Sequence, residues 1–382
     1  MSIFGVVCEC NPYHSGHGKL IEKAVQLGAD GLVAVMSGDF VQRGEPAVIS
    51  KFSRAADLAD RGFSLVFELP VRYSLSSSER FAAASVGLLD ALGAVDTLFF
   101  GSESGDIAAL KAAADAAEDG RVTDRTRELC SSGLSYPSAL TSAVGEIFGE
   151  DVSSCMSSPN NILAIDYLRA LKRLGSSMRP VTVKREEDGL SAHSARRMIR
   201  EGSVADGMVS ERTQLLASSG DISDPAKWDT VCMSALRRMS REEFALIPDV
   251  SGGLDSRLYR AAREAISLEE LLQSVKTKSY TMSRVKRAVC CASLGIKGKA
   301  PAVPPYARLL AIGDGGAEIL RAIRQTSSVP VSENLKELAA GSREAFLVAG
   351  EEMLATDIYN IASGIPRAAG MDMTARLYKK GN

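Results

Sequence analysis

The sequence predicts a doubly wound α/β domain built on a parallel sheet, followed by a mostly helical domain. Three observations carry this. Over roughly the first 100 residues, short apolar runs alternate with amphipathic helical stretches, as strands do when helices cover both faces of their sheet. A polar segment follows each run, glycine-bearing after the first, second and fourth, as loops do at the carboxyl edge of such a sheet. After Trp228, helical periodicity takes over.

In chain order, strands are expected at Ile3 to Cys8, Leu32 to Met36, Ser64 to Phe67 and Thr97 to Phe100. Helices are expected between them at Gly18 to Leu27, Phe52 to Asp60 and Glu79 to Leu92, with Gly28 and Gly93 as stops. Asp106 to Glu150 reads as three alanine-rich helices with no evident chemistry. Ser158-Pro159 opens a helix to about Leu174, serine as N-cap and proline in the first position. A fifth strand, Pro180 to Lys184, leads through a polar loop to a helix starting near Ser191. A linker is expected from Ser218 to Lys227, dividing the chain into domains 1–217 and 228–382. The second is expected to be helical at Thr230 to Met239, Leu254 to Ala265, Leu268 to Val275, Ser283 to Leu294, Ala307 to Ile312, Glu318 to Gln325 and Ser332 to Ala355.

Composition narrows the class. The chain has 382 residues, 45% hydrophobic and 24% charged, ordinary for a globular protein. A net charge of −2 excludes global attraction to nucleic acid, so RNA contact must use a local patch. Seven cysteines without C-x-x-C spacing predict reduced thiols, no zinc site and no disulfide-linked partner. The first strand begins within about three residues, which predicts no signal peptide. No run reaches the ~20 apolar residues of a membrane span, so no membrane partner is expected.

The stretch from Val7 to Leu20 carries the densest chemistry. It breaks at Asn11-Pro12 and holds two of the three histidines, His14 and His17, around Ser15 and Gly16. A helix start offers unpaired N–H groups and a positive dipole end, a natural seat for phosphate. Gly16 would let the backbone come close to a ligand. Two imidazoles can donate hydrogen bonds to phosphate oxygens and stabilise charge that develops in transfer. A metal pair is the alternative reading of His-x-x-His, but no third ligand stands at suitable spacing. Two loop histidines without chemistry are a further alternative.

Other unusual segments follow the later strands: Ser37 to Pro46, Glu68-Leu69-Pro70 and Gly101-Ser102-Glu103. Asn160 and Asn161 occupy the first turn of their helix, placed for capping alone or for a base or ribose contact. Lys184-Arg185 ends the fifth strand, and Arg196 lies in the first turns of the helix after it, a second phosphate candidate. In the C-terminal half, Lys276, Lys278, Arg284, Lys286, Arg287, Lys297 and Lys299 are seven basic residues within 24 positions holding no Asp or Glu, with Tyr280 among them. This is either a solvated face or a local field for a phosphate backbone with an aromatic for stacking.

His-x-Gly-His after a first strand resembles the signature of the nucleotidyltransferase superfamily, which includes class I aminoacyl-tRNA synthetases. The wider set of motifs resembles the bacterial tRNA(Met) cytidine acetate ligase family. Glu9, Asn11, Pro12, Tyr13, His14, Gly16 and His17 match its Glu-x-Asn-Pro-Phe-His-x-Gly-His, with Tyr13 for Phe. Met36 to Ala47, Glu68 to Pro70, Phe100 to Glu103, Ser158 to Leu163 and Thr277 to Thr281 match its later blocks. His193 and Ser279 depart from the family pattern.

The resemblance implies an ATP-binding, Rossmann-like nucleotidyltransferase domain and a tRNA-binding helical domain in a cytoplasmic enzyme. Acetate would attack ATP to give acetyl-adenylate, and N4 of the wobble cytidine of elongator tRNA(Met) would take the acetyl group. It implies catalytic roles for His14 and His17. ATP contacts would come from the run Val7, Cys8, Glu9, Cys10, Asn11, Pro12, Tyr13, His14, Ser15, Gly16, His17, Gly18, Lys19 and Leu20, and from Gly101, Asn160, Asn161, Arg185 and Arg196. Magnesium would accompany the triphosphate without a protein cage. Lys276, Lys278, Tyr280, Arg284, Lys286 and Arg287 would meet tRNA. A small-molecule nucleotidyltransferase of the same superfamily and a non-catalytic ATP- and RNA-binding protein are the rival readings.

Overall fold

A computed structural model describes residues 1–185, 191–204 and 207–381. The strands are β1 (Ile3–Cys8), β2 (Gly31–Ser37), β3 (Phe40–Val41), β4 (Glu45–Pro46), β5 (Leu65–Leu69), β6 (Thr97–Ser102), β7 (Arg179–Lys184), β8 (Ala307–Ile312), β9 (Val331–Ser332) and β10 (Tyr378–Lys379). The main sheet runs β10-β8-β5-β2-β1-β6-β7, with β9 also paired to β8. From β5 to β7 every pairing is parallel. Numbered among themselves, those five strands stand in the order 3-2-1-4-5 of a doubly wound sheet, which reverses direction beside β1.

Alternation along each strand divides the core into two layers. Val33 and Val35 of β2 face the layer holding Phe81, Leu88 and Tyr167. Leu32, Ala34 and Met36 face the opposite layer, with Phe4, Leu58 and Phe99. Both faces are covered, so the strands are apolar throughout, as expected of a parallel sheet.

A third core forms in the helices from Pro225 to Ser293, around Trp228, Phe244, Leu258, Leu271 and Val285. It is sealed to the α/β layer by Phe40, Val71, Leu75 and Tyr359. Phe40 sits 5.2 Å from Trp228 and 6.3 Å from Tyr359, ring centre to ring centre.

Two expectations for the C-terminal half are corrected. Ala307 to Ile312 is not a helix; it is β8, antiparallel to β5 in the main sheet. A six-residue apolar run reads equally well as a buried strand or a buried helix segment. Ser332 to Ala355 is not one helix. Ser332 ends β9, a short helix spans Leu335–Ala339, and a longer one spans Arg343–Ile361. The expected linker makes contacts on both sides: Ser223 N–H donates to Val48 O at 2.9 Å and Asp224 N–H to Ala362 O at 2.8 Å. Among the described residues no helix is long and apolar enough to cross a membrane.

A buried charge cluster fastens the C-terminal segment to the sheet. The Lys51 ammonium lies 2.6 Å from Glu68, 2.8 Å from Glu352 and 2.9 Å from Asp372. Arg308 on β8 reaches Glu68 at 3.0 Å and Asp372 at 2.6 Å. Burial alone would raise the Glu68 carboxyl, but Lys51 and Arg308 outweigh it and hold it down at about 2. Burial and the Glu68 charge push the Glu352 carboxyl well up, while its oxygens accept from Lys51 Nζ at 2.8 Å and from Val71 N–H at 2.5 Å. The Glu68-Leu69-Pro70 motif is therefore part of the framework: Glu68 is fully buried.

Candidate active site

The site begins at the carboxyl end of β1, where the chain turns through Glu9 to Tyr13 into the helix Ser15–Gln26. His14 is the N-cap of that helix. Its Nδ1 accepts from Gly16 N–H at 3.1 Å, and its own N–H donates to His17 Nδ1 at 3.2 Å. This is a capping box with imidazoles in both positions. The ring centres lie 4.1 Å apart. Because both Nδ1 atoms accept, each neutral ring carries its proton on Nε2. Burial lowers His14 to about 4 and His17 to about 3, with Arg185 adding to both. At pH 7 the pair is therefore two neutral Nε2–H donors.

The role expected for Gly16 changes. A Cβ there would stand 3.0 Å from His14 Cε1 and 3.2 Å from His14 Nδ1. The missing side chain makes room for the His14 ring, and the Gly16 N–H is taken by the cap. Tyr13 lies behind the pair, 5.5 Å from the His17 ring at 30°.

A cleft of ≈ 520 Å³ opens in front of the histidines, between the ends of β1 and β6. That is the point where the strand order reverses, the usual ligand crevice of such sheets. Val6, Phe81, Phe100, Leu163 and Tyr167 form an apolar wall, Arg185 and Arg196 bring positive charge, and the exposed Arg43 borders the opening. Gly101 lines the cleft, where a Cβ would meet Arg185 Cγ at 3.0 Å.

The Gly101-Ser102-Glu103 and Ser158-Pro159-Asn160-Asn161 motifs explain each other. Ser158 holds the N-cap position but makes no side-chain cap. Glu103 supplies it instead, accepting from Asn160 N–H at 3.1 Å and Asn161 N–H at 2.7 Å. It also accepts from Asn160 Nδ2 at 2.7 Å, which turns Asn160 Oδ1 toward Arg185 Nη1 at 3.3 Å. Asn160 and Arg185 line the cleft; Asn161 does not, because its Oδ1 accepts from Ser104 N–H at 3.1 Å. Pro12, Tyr13, Ser15 and Gly18 also stand outside the lining, whereas the other expected nucleotide residues belong to it. Arg196 lines the cleft with its guanidinium partly engaged, donating to Asn11 O at 2.9 Å and lying 3.6 Å from Glu45.

Sequence reasoning missed Arg54. Buried in the helix Lys51–Asp60, it donates to Glu9 O at 2.6 Å, Ser37 O at 3.1 Å and Ile49 O at 3.2 Å, and also to Gly38 O. It thereby ties together the ends of β1 and β2. The available signal was a run of charges, Lys51, Arg54 and Asp57, on a helix whose other residues are mostly apolar or small.

The basic stretch is only partly a surface. Lys276, Lys278, Lys297 and Lys299 are exposed. Arg287 is 9% exposed, so its charge is turned inward. Arg284 donates to Asp249 O at 3.1 and 2.9 Å, and Tyr280 donates to Gly252 O, which pins both to one loop. Lys286 lies 3.6 Å from Glu45.

A 3-2-1-4-5 sheet with a His-x-Gly-His helix start at its switch point is the fold and site of a nucleotidyltransferase. The family model described as HIGH Nucleotidyl Transferase matches residues 1–370. The tRNA(Met) cytidine acetate ligase of Acetivibrio thermocellus is 33% identical over 413 residues, covering 99% of both chains. That of Clostridium kluyveri is 34% identical over 373 residues, covering 89% of this chain and 91% of its own. The crystal structure of Thermotoga maritima TmcAL bound with alpha-thio ATP superposes with a TM-score of 0.90 at 28% identity over 99% of each chain, and the apo form with 0.91. The chain belongs to the tRNA(Met) cytidine acetate ligase family of HIGH nucleotidyltransferases.

Proposed function

We propose that this enzyme activates acetate with ATP and transfers the acetyl group to N4 of the wobble cytidine in elongator tRNA(Met). The observation that carries the chemistry is the locked His14–His17 pair with both Nε2–H groups free for a ligand. An acetate oxygen attacks the α-phosphorus, the bond to the bridging oxygen breaks, and pyrophosphate leaves. His14 and His17 donate to oxygens of the transferring phosphoryl group, and Arg185 and Arg196 neutralise charge nearby. The adenosine lies against the apolar wall, with Asn160 and Arg185 contacting it. In the second step N4 attacks the acetyl carbon, the carbon–oxygen bond to AMP breaks, and a proton leaves the amine.

Among the described residues there is no group of three or more His, Cys, Asp or Glu placed to hold a metal ion. Magnesium would therefore arrive on the triphosphate, ligated by phosphate oxygens and water, and no step is assigned to it. The helices from Pro225 to Ser293, with Lys276 and Lys278 exposed, would receive the tRNA in the cytoplasm.

ATP–pyrophosphate exchange by the purified protein tests this reading. Exchange that requires acetate and proceeds without RNA is the expected result. Exchange with a mononucleotide substrate in place of acetate would move the assignment to a small-molecule nucleotidyltransferase. No exchange, with tRNA present or absent, would refute the enzyme.

A further inference from the structure

The segment from Met36 to Ala47 is the longest motif in the chain, and most of its residues have internal work. A Cβ on Gly38 would meet Glu352 Oε1 at 2.7 Å. Asp39 accepts from Lys51 N–H at 2.8 Å, and Phe40 packs on Trp228. Gln42 N–H donates to Glu9 Oε1 at 2.7 Å, and its side-chain amide donates to Ser76 O at 3.3 Å. Gly44 has φ +77°, and a Cβ there would stand 2.5 Å from Arg287 N. Glu45 lies between Arg196 and Lys286, 3.6 Å from each.

Arg43 is different. It is exposed, it lines the mouth of the cleft, and it makes no hydrogen bond or ion pair among the described residues. Its neighbours on both sides are fixed, so the β3–β4 turn anchors the backbone from which an unpaired guanidinium extends. That turn stands at the seam between the cleft and the basic helix Met282–Ser293, on which Gly44 rests.

We infer that Arg43 grips a backbone phosphate of the acceptor RNA beside the target cytidine and so holds the base in register with the cleft. The inference rests on the RNA-acetylating function proposed above. An arginine suits this position because its planar fork can hold two phosphate oxygens at once. Arg43 is a positioning residue: it bears on the second step and leaves the first alone.

The test uses full-length Arg43→Ala and Arg43→Lys with an unmodified elongator tRNA(Met) transcript. Acetate-dependent ATP–pyrophosphate exchange without RNA should stay within about twofold of the parent. For acetyl transfer, the KM for tRNA should rise about tenfold in Arg43→Ala, with kcat changed far less. In a binding titration without ATP, the slope of log affinity against log salt should fall by about 0.7 to 1, as for one lost phosphate contact. Arg43→Lys should restore the slope but not the full affinity. Unchanged tRNA KM and salt slope would overturn the assignment, and so would joint loss of exchange, which would place Arg43 on ATP. A parent without acetate-dependent exchange would refute the function instead, and the salt titration would then decide Arg43 by itself.

Discussion

Replacing His17 by alanine separates catalysis from architecture, because His17 does two jobs of different size. As half of the capping box it accepts one bond from His14 N–H at 3.2 Å, and losing such a cap costs about 1 kcal/mol. In a chain of this length that lowers Tm by only a few degrees. As a preorganised donor to developing charge its removal costs about 100- to 1,000-fold in rate, roughly 3–4 kcal/mol. Acetate-dependent pyrophosphate exchange should therefore collapse while the melt moves little and tRNA affinity persists. The parent gives a second readout. Its rings titrate at about 4 and about 3, so exchange between pH 6 and 9 should show no histidine limb. Linkage has the matching sign. Unfolded histidine takes up its proton near 6.5, so the stability these rings allow is complete above that pH and is lost as pH falls toward 4. The loss is about 1.4 kcal/mol per ring for each pH unit below 6.5. Exchange within about threefold of the parent in His17→Ala, or a His17-dependent limb near pH 6.5, would refute the reasoning.

Lys51→Met should lower stability by about 3–5 kcal/mol in urea, since it strands Glu68 and Asp372 beside Arg308 alone; a loss below about 1 kcal/mol would contradict it. The contribution of Glu68 is complete above pH 4.5 and fades as pH falls toward 2, so the penalty of Lys51→Met should shrink in acid. Glu103→Ala removes three accepted hydrogen bonds and should raise the KM for ATP about tenfold, roughly 1.4 kcal/mol, measured by exchange. An unchanged KM would show that the Glu103–Asn160–Arg185 chain does not position the nucleotide. Gly44→Ala forces a side chain into left-handed backbone and against the Lys286–Arg287 backbone, at about 2–4 kcal/mol in denaturant titration; unaltered stability would rule out that seat.

The parallel strands were legible because each is a short apolar run closed by turn residues, a pattern local in sequence. The closeness of His14 and His17 was legible for the same reason, since four residues hold both rings, but the imidazole capping box, the helix start at Ser15 and the use of Gly16 to seat the His14 ring were not. Partnerships across distance were not. Glu103 and Asn160 are 57 positions apart, and nothing in either motif names the other as its cap. Lys51 and Arg54 read as ordinary charges on an amphipathic helix until strands from both ends of the chain bury them. The basic stretch misled differently. Successive helix positions turn by about 100°, so Lys286 and Arg287 are neighbours in sequence yet only Lys286 keeps a face toward the surface.

The sheet also carries a schedule. Glu68 on β5 meets Arg308 on β8 only after 240 further residues. On a ribosome adding about 5–20 residues per second, that is roughly 10–50 s. During that interval β5 is an open strand edge, the kind of surface that invites other chains, and Glu68 lacks one of its two cations. The nascent protein therefore spends most of its synthesis with the sheet unfinished, and its demand for a chaperone should fall once the residues of β8 emerge.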